Sequence, residues 1–220
     1  MICLGLDPSL TAFGWAIHDT SVPVGHTERC VARGRFQTPA KMEFIDRYIL
    51  QRQRLRDLIR KFKPDRVGLE FPIFHSIWSE GMYGLFLFTC EALKLEQCDV
   101  VFWAPLQIKA HARDSIVRPS GWKMDKVDMV ESAKTDAGGG RWNHNEADAY
   151  LCAVLASRFW LFYEGKLTEL DLTPTELRYF TEVKTYVRGK HVGKTVKRGV
   201  IHREDDRFFM WSTEDEDGKK

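Results

Sequence analysis

The sequence predicts an α/β fold with five strands and several long helices. Short apolar runs, typical of buried strands, occur at 2–6, 12–17, 66–70 and 99–103, and residues 29–36 form a further candidate strand. Two longer segments, at 40–62 and 79–96, carry apolar residues at helical spacing. A third helix is predicted at 143–156, where the chain is rich in alanine and polar only at its start.

The first strand ends in an acidic residue. An apolar run at 2–6 is followed by Asp7, after which Pro8 breaks the strand and a second apolar run through Ile17 predicts a hairpin. A carboxylate at the end of a buried strand is costly unless it has a partner, commonly a metal ion. A surface strand whose Asp7 only opens a turn explains the same residues, because Asp is common in turns.

Two further acids occupy comparable places. The strand at 66–70 ends at Glu70, so two apolar strands present a carboxylate at what would be the same edge of the sheet. Asp148 lies near the start of the alanine-rich helix, where an acid often only complements the helix dipole. Small alanines allow this helix to lie close on the sheet, which would bring Asp148 toward Asp7 and Glu70.

Composition limits the class of protein. The chain has 220 residues, which suits one domain plus an extension, and a net charge of +2, which does not by itself indicate nucleic-acid binding. None of its five cysteines forms a CxxC pair, so they are predicted to be reduced core thiols of a cytoplasmic protein rather than zinc ligands. The sequence shows neither a secretory signal pattern nor an apolar stretch of membrane-spanning length.

Three motifs, taken in chain order, resemble the RuvC-type Holliday-junction resolvases of the RNase H-like superfamily. They are G-L-D-P-S-x-x-x-x-G-W-A-I at 5–17, the strand that ends at Glu70, and E-A-D-A-x-x-x-A at 146–153. The strand at 99–103 followed by Pro105, Ile108 and Lys109 is also similar to that family. The resemblance covers about residues 1–163 and implies an RNase H-like mixed five-stranded sheet flanked by helices. We therefore divide the chain into a nuclease domain (1–165), a basic β-rich extension (166–213) and a disordered acidic tail (214–220).

The resemblance also implies the chemistry. Asp7, Glu70 and Asp148 would bind Mg²⁺, with Mn²⁺ able to substitute, and two ions in each active site would support phosphodiester hydrolysis. Lys126 matches a position that approaches the scissile phosphate in the family, and Lys123 is an alternative to it. A homodimer acting on a four-way DNA junction is implied, since a two-fold substrate matches a two-fold protein.

One position departs from the family pattern. Three residues before the last Asp these resolvases often carry a further acid, and some carry His, but this chain has Asn145. At about 100° per residue, Asn145 and His144 lie within roughly 60° of Asp148 around the helix, whereas Glu146 lies roughly 160° away. The side-chain oxygen of Asn145, or His144, is therefore predicted to complete the site as a catalytic or metal-binding group.

Several basic or aromatic residues are predicted to contact DNA. Phe74 follows Glu70 closely and is a candidate for stacking on an unpaired base, although Ile73 matches the family offset and Phe74 suits the core equally well. Lys109, Arg113, Lys123 and Lys126 belong to a mildly basic segment. In the extension, residues 175–212 alternate as strands do, with Leu177, Tyr179 and Phe180 in the first, and Val183 to Arg203 contains no acid. Its candidate DNA-binding residues are Lys184, Arg188, Lys190, Lys194, Lys197 and Arg198.

The sequence leaves three classes of function open. The first is a metal-dependent endonuclease that cleaves Holliday junctions or other branched DNA, including forks and flaps. The second is a protein that binds branched DNA without cutting it. The third is an actin-like phosphotransferase, which shares an opening Asp, although this chain has no second glycine-rich phosphate loop. A solvated surface is the simpler interpretation for the basic face of the helix at 40–62. For the basic extension, a charged sheet edge that resists aggregation is the alternative to a nucleic-acid surface.

Overall fold

The centre of the molecule is a mixed sheet. The computed structural model describes residues 1–71, 79–119 and 122–181, and three short strands beyond them. The main strands are β1 (Ile2–Asp7), β2 (Ala12–Asp19), β3 (Cys30–Gln37), β4 (Arg66–Glu70) and β5 (Val100–Trp103). Their order in the sheet is β3-β2-β1-β4-β5. Strands β1, β4 and β5 are parallel, and β2 is antiparallel to both of its neighbours.

Helices cover both faces of this sheet. They are α1 (Phe44–Phe62), α2 (Ser79–Leu95), α3 (Pro105–Asp114), α4 (Lys126–Asp136), α5 (His144–Tyr163) and α6 (Pro174–Thr181). Because side chains alternate along a strand, Leu4 and Leu6 pack in one buried cluster with α1 and α2. Cys3 packs in a second cluster, which α5 dominates and to which α3 and α4 contribute.

Helix α5 lies between the sheet and two other helices. It contacts β1, β2 and β4 on one side and α3 and α4 on the other. Its start is fixed by Asn143, whose side-chain oxygen accepts a hydrogen bond from the backbone N–H of Asn145 at 2.9 Å. Burial on several sides explains why the sequence of this helix is apolar almost all round rather than amphipathic.

The sequence predicts strands from residue 175 onward, but the structure has helix α6 at this point. Leu177, Tyr179 and Phe180, which were expected to alternate along a strand, all lie in this helix. Thr173 and Glu176 cap its first turn, since the Thr173 hydroxyl accepts from the Glu176 N–H at 3.2 Å and the Glu176 carboxylate accepts from the Thr173 N–H at 2.9 Å. This reciprocal cap outweighs the strand-like spacing of the apolar residues.

Helix α6 is attached to the core by a buried acid. The side chain of Glu176 is fully buried, and its Oε2 accepts a hydrogen bond from Arg158 Nη2 of α5 at 2.9 Å. His111 of α3 also approaches this carboxylate, with 3.5 Å between Nδ1 and Oε1. The first part of the predicted extension is therefore joined to α3 and α5 of the core.

The last described strands are short. Strands β6 (Lys184–Thr185) and β7 (Thr195–Val196) pair with each other, and β8 (Val200–Ile201) pairs with β5 and adds a sixth strand to the main sheet. The rest of the extension and the acidic tail lie outside the described residues, so the proposed domain boundaries stay predictions. All five cysteines are buried and free, which confirms their assignment as core thiols. Within the described part of the chain, no helix has the length and apolarity needed to span a bilayer.

Candidate active site

The ends of β1 and β4 lie side by side. Leu6 is paired with Leu69 in parallel register, so Asp7 and Glu70, the next residues, extend from the same edge of the sheet. Neighbouring strands are about 4.8 Å apart, which brings the two carboxylates into the same small region. The sequence-based expectation of one acidic sheet edge is met by this arrangement.

Glycines in three adjacent strands allow α5 to approach this edge. A Cβ atom at Gly5 would lie 1.9 Å from the backbone oxygen of Ala149, and one at Gly14 would lie 2.2 Å from that of Asn145. A Cβ at Gly68 would lie 2.6 Å from the Cβ of Ala156. We call Gly5, Gly14 and Gly68 the glycine row. Without side chains here the helix backbone rests directly on the sheet, and Asp148 is carried to the carboxyl edge of β1 and β4.

The three carboxylates influence one another. Burial, and then the charges of Glu70 and Asp148, raise the pKa of Asp7 well above its usual value. Burial and then Asp148 raise the pKa of Glu70 to about 8. Burial raises the pKa of Asp148 to about 6. Three clustered acids resist simultaneous ionisation, which is common at functional sites.

Two lysines lower these pKa values by their positive charge. Lys126 acts on Asp7 and Asp148, and Lys109 acts on Glu70 and Asp148. Lys126 is the first residue of α4 and Lys109 belongs to α3, so two helices contribute one cation each to the acidic edge. The sequence predicted Lys109 only as a DNA contact, and its effect on the acids was not anticipated.

The start of α4 is held in place by a polar cluster. Asp128 accepts hydrogen bonds from Trp122 Nε1 at 2.7 Å and from Arg118 Nε at 2.8 Å. Asp125 caps the helix through the N–H groups of Val127 and Asp128. Arg118, which belongs to the basic segment, is thus neutralised by the acids of this cluster. Lys126, at the start of α4, is exposed.

The first turn of α5 orients three polar residues differently. The Asn145 side chain donates from Nδ2 to the carbonyl oxygen of Ala12, which ties the helix to β2. His144 has a lowered pKa, caused by burial and by the charges of Lys126 and Arg35, so its imidazole is neutral at pH 7. Glu146 points elsewhere, since its carboxylate lies 3.5 Å from Arg33 Nε. Its position agrees with the angle predicted from helix geometry.

Other predicted contact residues are distributed as follows. Arg113 and Lys123 are exposed, Arg113 near the end of α3 and Lys123 just before α4. Lys184 lies in β6. Phe74, with its alternative Ile73, and the extension residues Arg188, Lys190, Lys194, Lys197 and Arg198 lie outside the described residues, and their roles stay predictions.

The chemistry of the donor set fits a divalent cation. Carboxylate oxygens are preferred ligands of Mg²⁺ and Mn²⁺, and Asp148 Oδ1 is buried without a hydrogen-bond partner. In the described part of the chain, however, no group of three or more His, Cys, Asp or Glu side chains is already arranged to hold an ion. Asp7, Glu70 and Asp148 are the residues that would hold the ion.

Comparisons with known proteins bear on the fold and on sequence similarity. No model of a known protein family matches the chain. The chain is 31% identical over 75 residues to the crossover junction endodeoxyribonuclease RuvC of Halothermothrix orenii, an alignment that covers 34% of this chain and 44% of that protein. It superimposes on Thermus thermophilus RuvC in complex with a Holliday junction substrate with a TM-score of 0.59 and 15% identity.

The chain is similar to RuvC in sequence and in fold. A second Thermus thermophilus RuvC structure gives a TM-score of 0.57 at 18% identity, and both comparisons cover 75% of this chain and 97% of the RuvC chain. The structural likeness, at these identities, concerns the fold. The resemblance to RuvC-type resolvases and the mixed sheet flanked by helices, both predicted from the sequence, are confirmed.

Proposed function

We propose that the chain is a metal-dependent endonuclease that cleaves Holliday junctions or related branched DNA. The observation that carries this proposal is the convergence of three carboxylates from β1, β4 and α5 with two lysines beside them. A phosphodiester brings negative charge, so the lysines suit the substrate and the carboxylates suit cations. The similarity to RuvC supplies the substrate class.

Each group of the site has a distinct role in this proposal. Asp7, Glu70 and Asp148 would hold Mg²⁺ or Mn²⁺, two ions in each active site, which supply an activated water and stabilise the leaving oxygen. Lys126 and Lys109 attract the phosphate and offset the charge that develops on it during the reaction. The close seating of α5 keeps Asp148 at a fixed distance from both strands, which preserves the geometry that an in-line displacement needs.

Asn145 or His144 would supply a further ligand. Because the amide nitrogen of Asn145 donates to Ala12, the amide oxygen is the side-chain atom that remains available as a ligand; the oxygen and nitrogen are assigned from this hydrogen bond. A neutral His144 can bind a metal without first losing a proton. Junction cleavage by His144→Ala, Asn145→Ala and Glu146→Ala in Mg²⁺ and in Mn²⁺ separates the candidates, and the Glu146 variant is expected to retain activity.

The two-fold symmetry of a four-way junction favours a homodimer. Helices α1 and α2 pack together and expose several large apolar side chains, namely Phe44, Ile45, Ile49, Tyr83 and Leu87. Such a surface suits the self-complementary contact of a two-fold dimer. We propose that a second copy of the chain covers it and that each copy supplies one active site.

A cleavage assay tests the proposed function. Labelled four-way junction, fork and linear duplex are each incubated with the full chain in Mg²⁺, in Mn²⁺ and in a chelator. We expect metal-dependent cutting of branched DNA and little cutting of the duplex. Asp7→Asn should abolish cleavage but keep or increase junction affinity, because it removes a ligand and a negative charge near phosphate. Asp46→Asn, the same change at an exposed acid of α1, is the matched control.

Two results would contradict the proposal. Strong cleavage by Asp7→Asn would show that this carboxylate is not part of the catalytic site. Junction binding with no cutting in either metal would favour the second class, a branched-DNA-binding protein.

A further inference from the structure

A groove at one edge of the sheet carries positive charge, and one of its cations, Arg35, also acts on His144. It lies between β3, the edge strand, and the outer side of α1, and it encloses an open volume of about 590 Å³. Three cations line it, Arg35 from β3 and Arg54 and Lys61 from α1. Asp57 is the acid in its lining, so the groove has an excess of positive charge. We call Arg35, Arg54, Lys61 and the surface between them the edge groove.

The cations of the edge groove differ from the other basic residues of α1. Arg52 forms an ion pair with Glu91 at 2.9 Å, and Arg56 and Arg60 both contact Glu96. Those arginines are neutralised by α2 and the turn that follows it.

Within the described residues, the three groove cations form no ion pair. Arg54 Nη1 donates to the backbone oxygen of Gln37 at 2.8 Å, which orients its guanidinium without removing its charge. Lys61 lies 5.0 Å from the centre of the Phe62 ring. Arg35 is exposed. Fixed but unneutralised cations are suited to a polyanion.

The edge groove begins close to the candidate active site. Asp7 is paired with Gly14 across β1 and β2, and Gly14 is paired with Arg35 across β2 and β3. Asp7 and Arg35 therefore lie in one row of the sheet, roughly 10 Å apart by two strand spacings. From Arg54 to Lys61 the groove follows α1 for seven residues, a further 10 Å or so at about 1.5 Å per residue. Arg35 starts on the α5 face of this edge strand, the face of Gly14, whereas Arg54 and Lys61 belong to α1 on the opposite face. The positive charge therefore continues around the edge of the sheet toward the far end of α1.

We infer that the edge groove binds the phosphate backbone of the DNA arm that leaves the active site. This inference rests on the proposed nuclease function and extends it to a surface that the three carboxylates do not touch. The groove is open and lined by long basic side chains, which suits the backbone rather than the bases and predicts contacts without sequence preference. Its length corresponds to about three base pairs at roughly 3.4 Å each.

Salt-dependent binding of a catalytically inactive complex provides the test. Junction affinity is measured over a range of salt concentrations for the full chain carrying Asp7→Asn, alone and together with Arg35→Ala and Lys61→Ala. Loss of two phosphate contacts should lower the slope of log affinity against log salt by about two. The control removes the same number of positive charges, both from α1, by Arg52→Ala and Arg60→Ala, whose side chains are ion-paired, and should leave the slope unchanged.

A second arm locates the contact on the DNA. Single phosphates at successive distances from the cleavage site are replaced by uncharged methylphosphonates. With intact groove residues, affinity should fall at two or more phosphates within about six nucleotides of the cleavage site. This span follows from the roughly 20 Å between Asp7 and the far end of the groove and about 3.4 Å per nucleotide. With Arg35→Ala and Lys61→Ala the same replacements should have no further effect.

The outcomes separate the inference from the proposed function. If the starting protein binds and cuts junctions but the groove variant keeps the same salt slope and the same methylphosphonate profile, the inference is wrong and the nuclease assignment stands. If the groove variant and the control variant lower the slope equally, the slope reports only a general loss of positive charge, and the edge groove has no special role in binding. If the starting protein does not bind branched DNA at all, the proposed function itself fails.

Discussion

Adding one methyl group at Gly68 tests whether the close contact between α5 and the sheet positions the active site. Gly68 lies in β4, two residues before Glu70, and faces α5. In Gly68→Ala the new Cβ would lie 2.6 Å from the Cβ of Ala156 and 2.8 Å from the backbone oxygen of Cys152. Neither separation is tolerated in a folded protein, so the helix or the strand must move.

The size of the effect follows from these distances. Ordinary contact between such atoms requires about 3.5 Å or more, so α5 must shift by something approaching 1 Å. Overpacking of this kind costs roughly 1–3 kcal/mol of unfolding free energy. Because Asp148 lies on the shifted helix, a displacement of about 1 Å would lower the cleavage rate by a factor on the order of 10².

The assay distinguishes displacement of Asp148 from unfolding of the Gly68→Ala variant. Single-turnover cleavage of a four-way junction is measured with excess protein, well below the unfolding temperature of the variant. Junction affinity should stay close to that of the parent chain, since Lys109 and Lys126 are on other helices. The control is Gly81→Ala in α2, where the nearest atom is Cδ1 of Leu10 at 3.2 Å, at the end of a flexible side chain. Cleavage by folded Gly68→Ala at the parent rate would refute the argument.

Three further changes have defined outcomes. Burial raises the pKa of Glu70 to about 8, so without metal the stability contributed by its protonated form is complete below the usual pKa near 4.5 and is lost as pH rises through about 8. Binding of Mg²⁺ at pH 7 should therefore release protons, measured by calorimetry in buffers of different ionisation enthalpy, and Glu70→Gln should reduce that release. Glu176→Gln should lower the unfolding free energy by about 1–3 kcal/mol in denaturant titration, because it removes the buried charge facing Arg158, whereas Glu169→Gln, at an exposed acid, should not. Ile49→Glu should convert the proposed dimer to monomers in light scattering, whereas Leu170→Glu at an exposed site elsewhere should leave the mass unchanged.

The sequence was sufficient to predict the strands and their acidic ends. An apolar run that ends in a carboxylate is a local pattern, and it places Asp7 and Glu70 at strand ends regardless of how the rest of the chain folds. The angular spacing of residues around a helix likewise separates Glu146 from Asp148, with no knowledge of tertiary contacts. These predictions succeed because each depends on the periodicity of a single element.

Features that depend on contacts between several elements are harder to predict from the sequence. The position of Lys126 depends on the cluster of Asp128 with Arg118 and Trp122, and no local pattern reveals that contact. Two signals were nevertheless present in the sequence. Glycine inside an apolar strand often marks a close backbone approach, which describes Gly5 and Gly68. The order Thr173-Pro174-Thr175-Glu176 is a helix-capping pattern, which should have outweighed the strand interpretation of α6.

The glycine row brings the three carboxylates together, whereas their negative charges repel one another. This opposition explains why the site should respond to cations. Close seating of α5 brings Asp148 toward Asp7 and Glu70. Burial, and then the neighbouring negative charges, raise the pKa values of Asp7 and Glu70, and burial raises the pKa of Asp148. The helix is held from the sheet side by direct contact and from the outer side by α3 and α4, so the backbone has little freedom to relieve the repulsion. The repulsion between the carboxylates can then be reduced by protonation or by side-chain rotation. A bound divalent cation would also reduce it, because the cation supplies positive charge. The fold thus keeps three acids together at a cost in stability, and the ion that removes this cost is the one that the proposed phosphodiester chemistry requires.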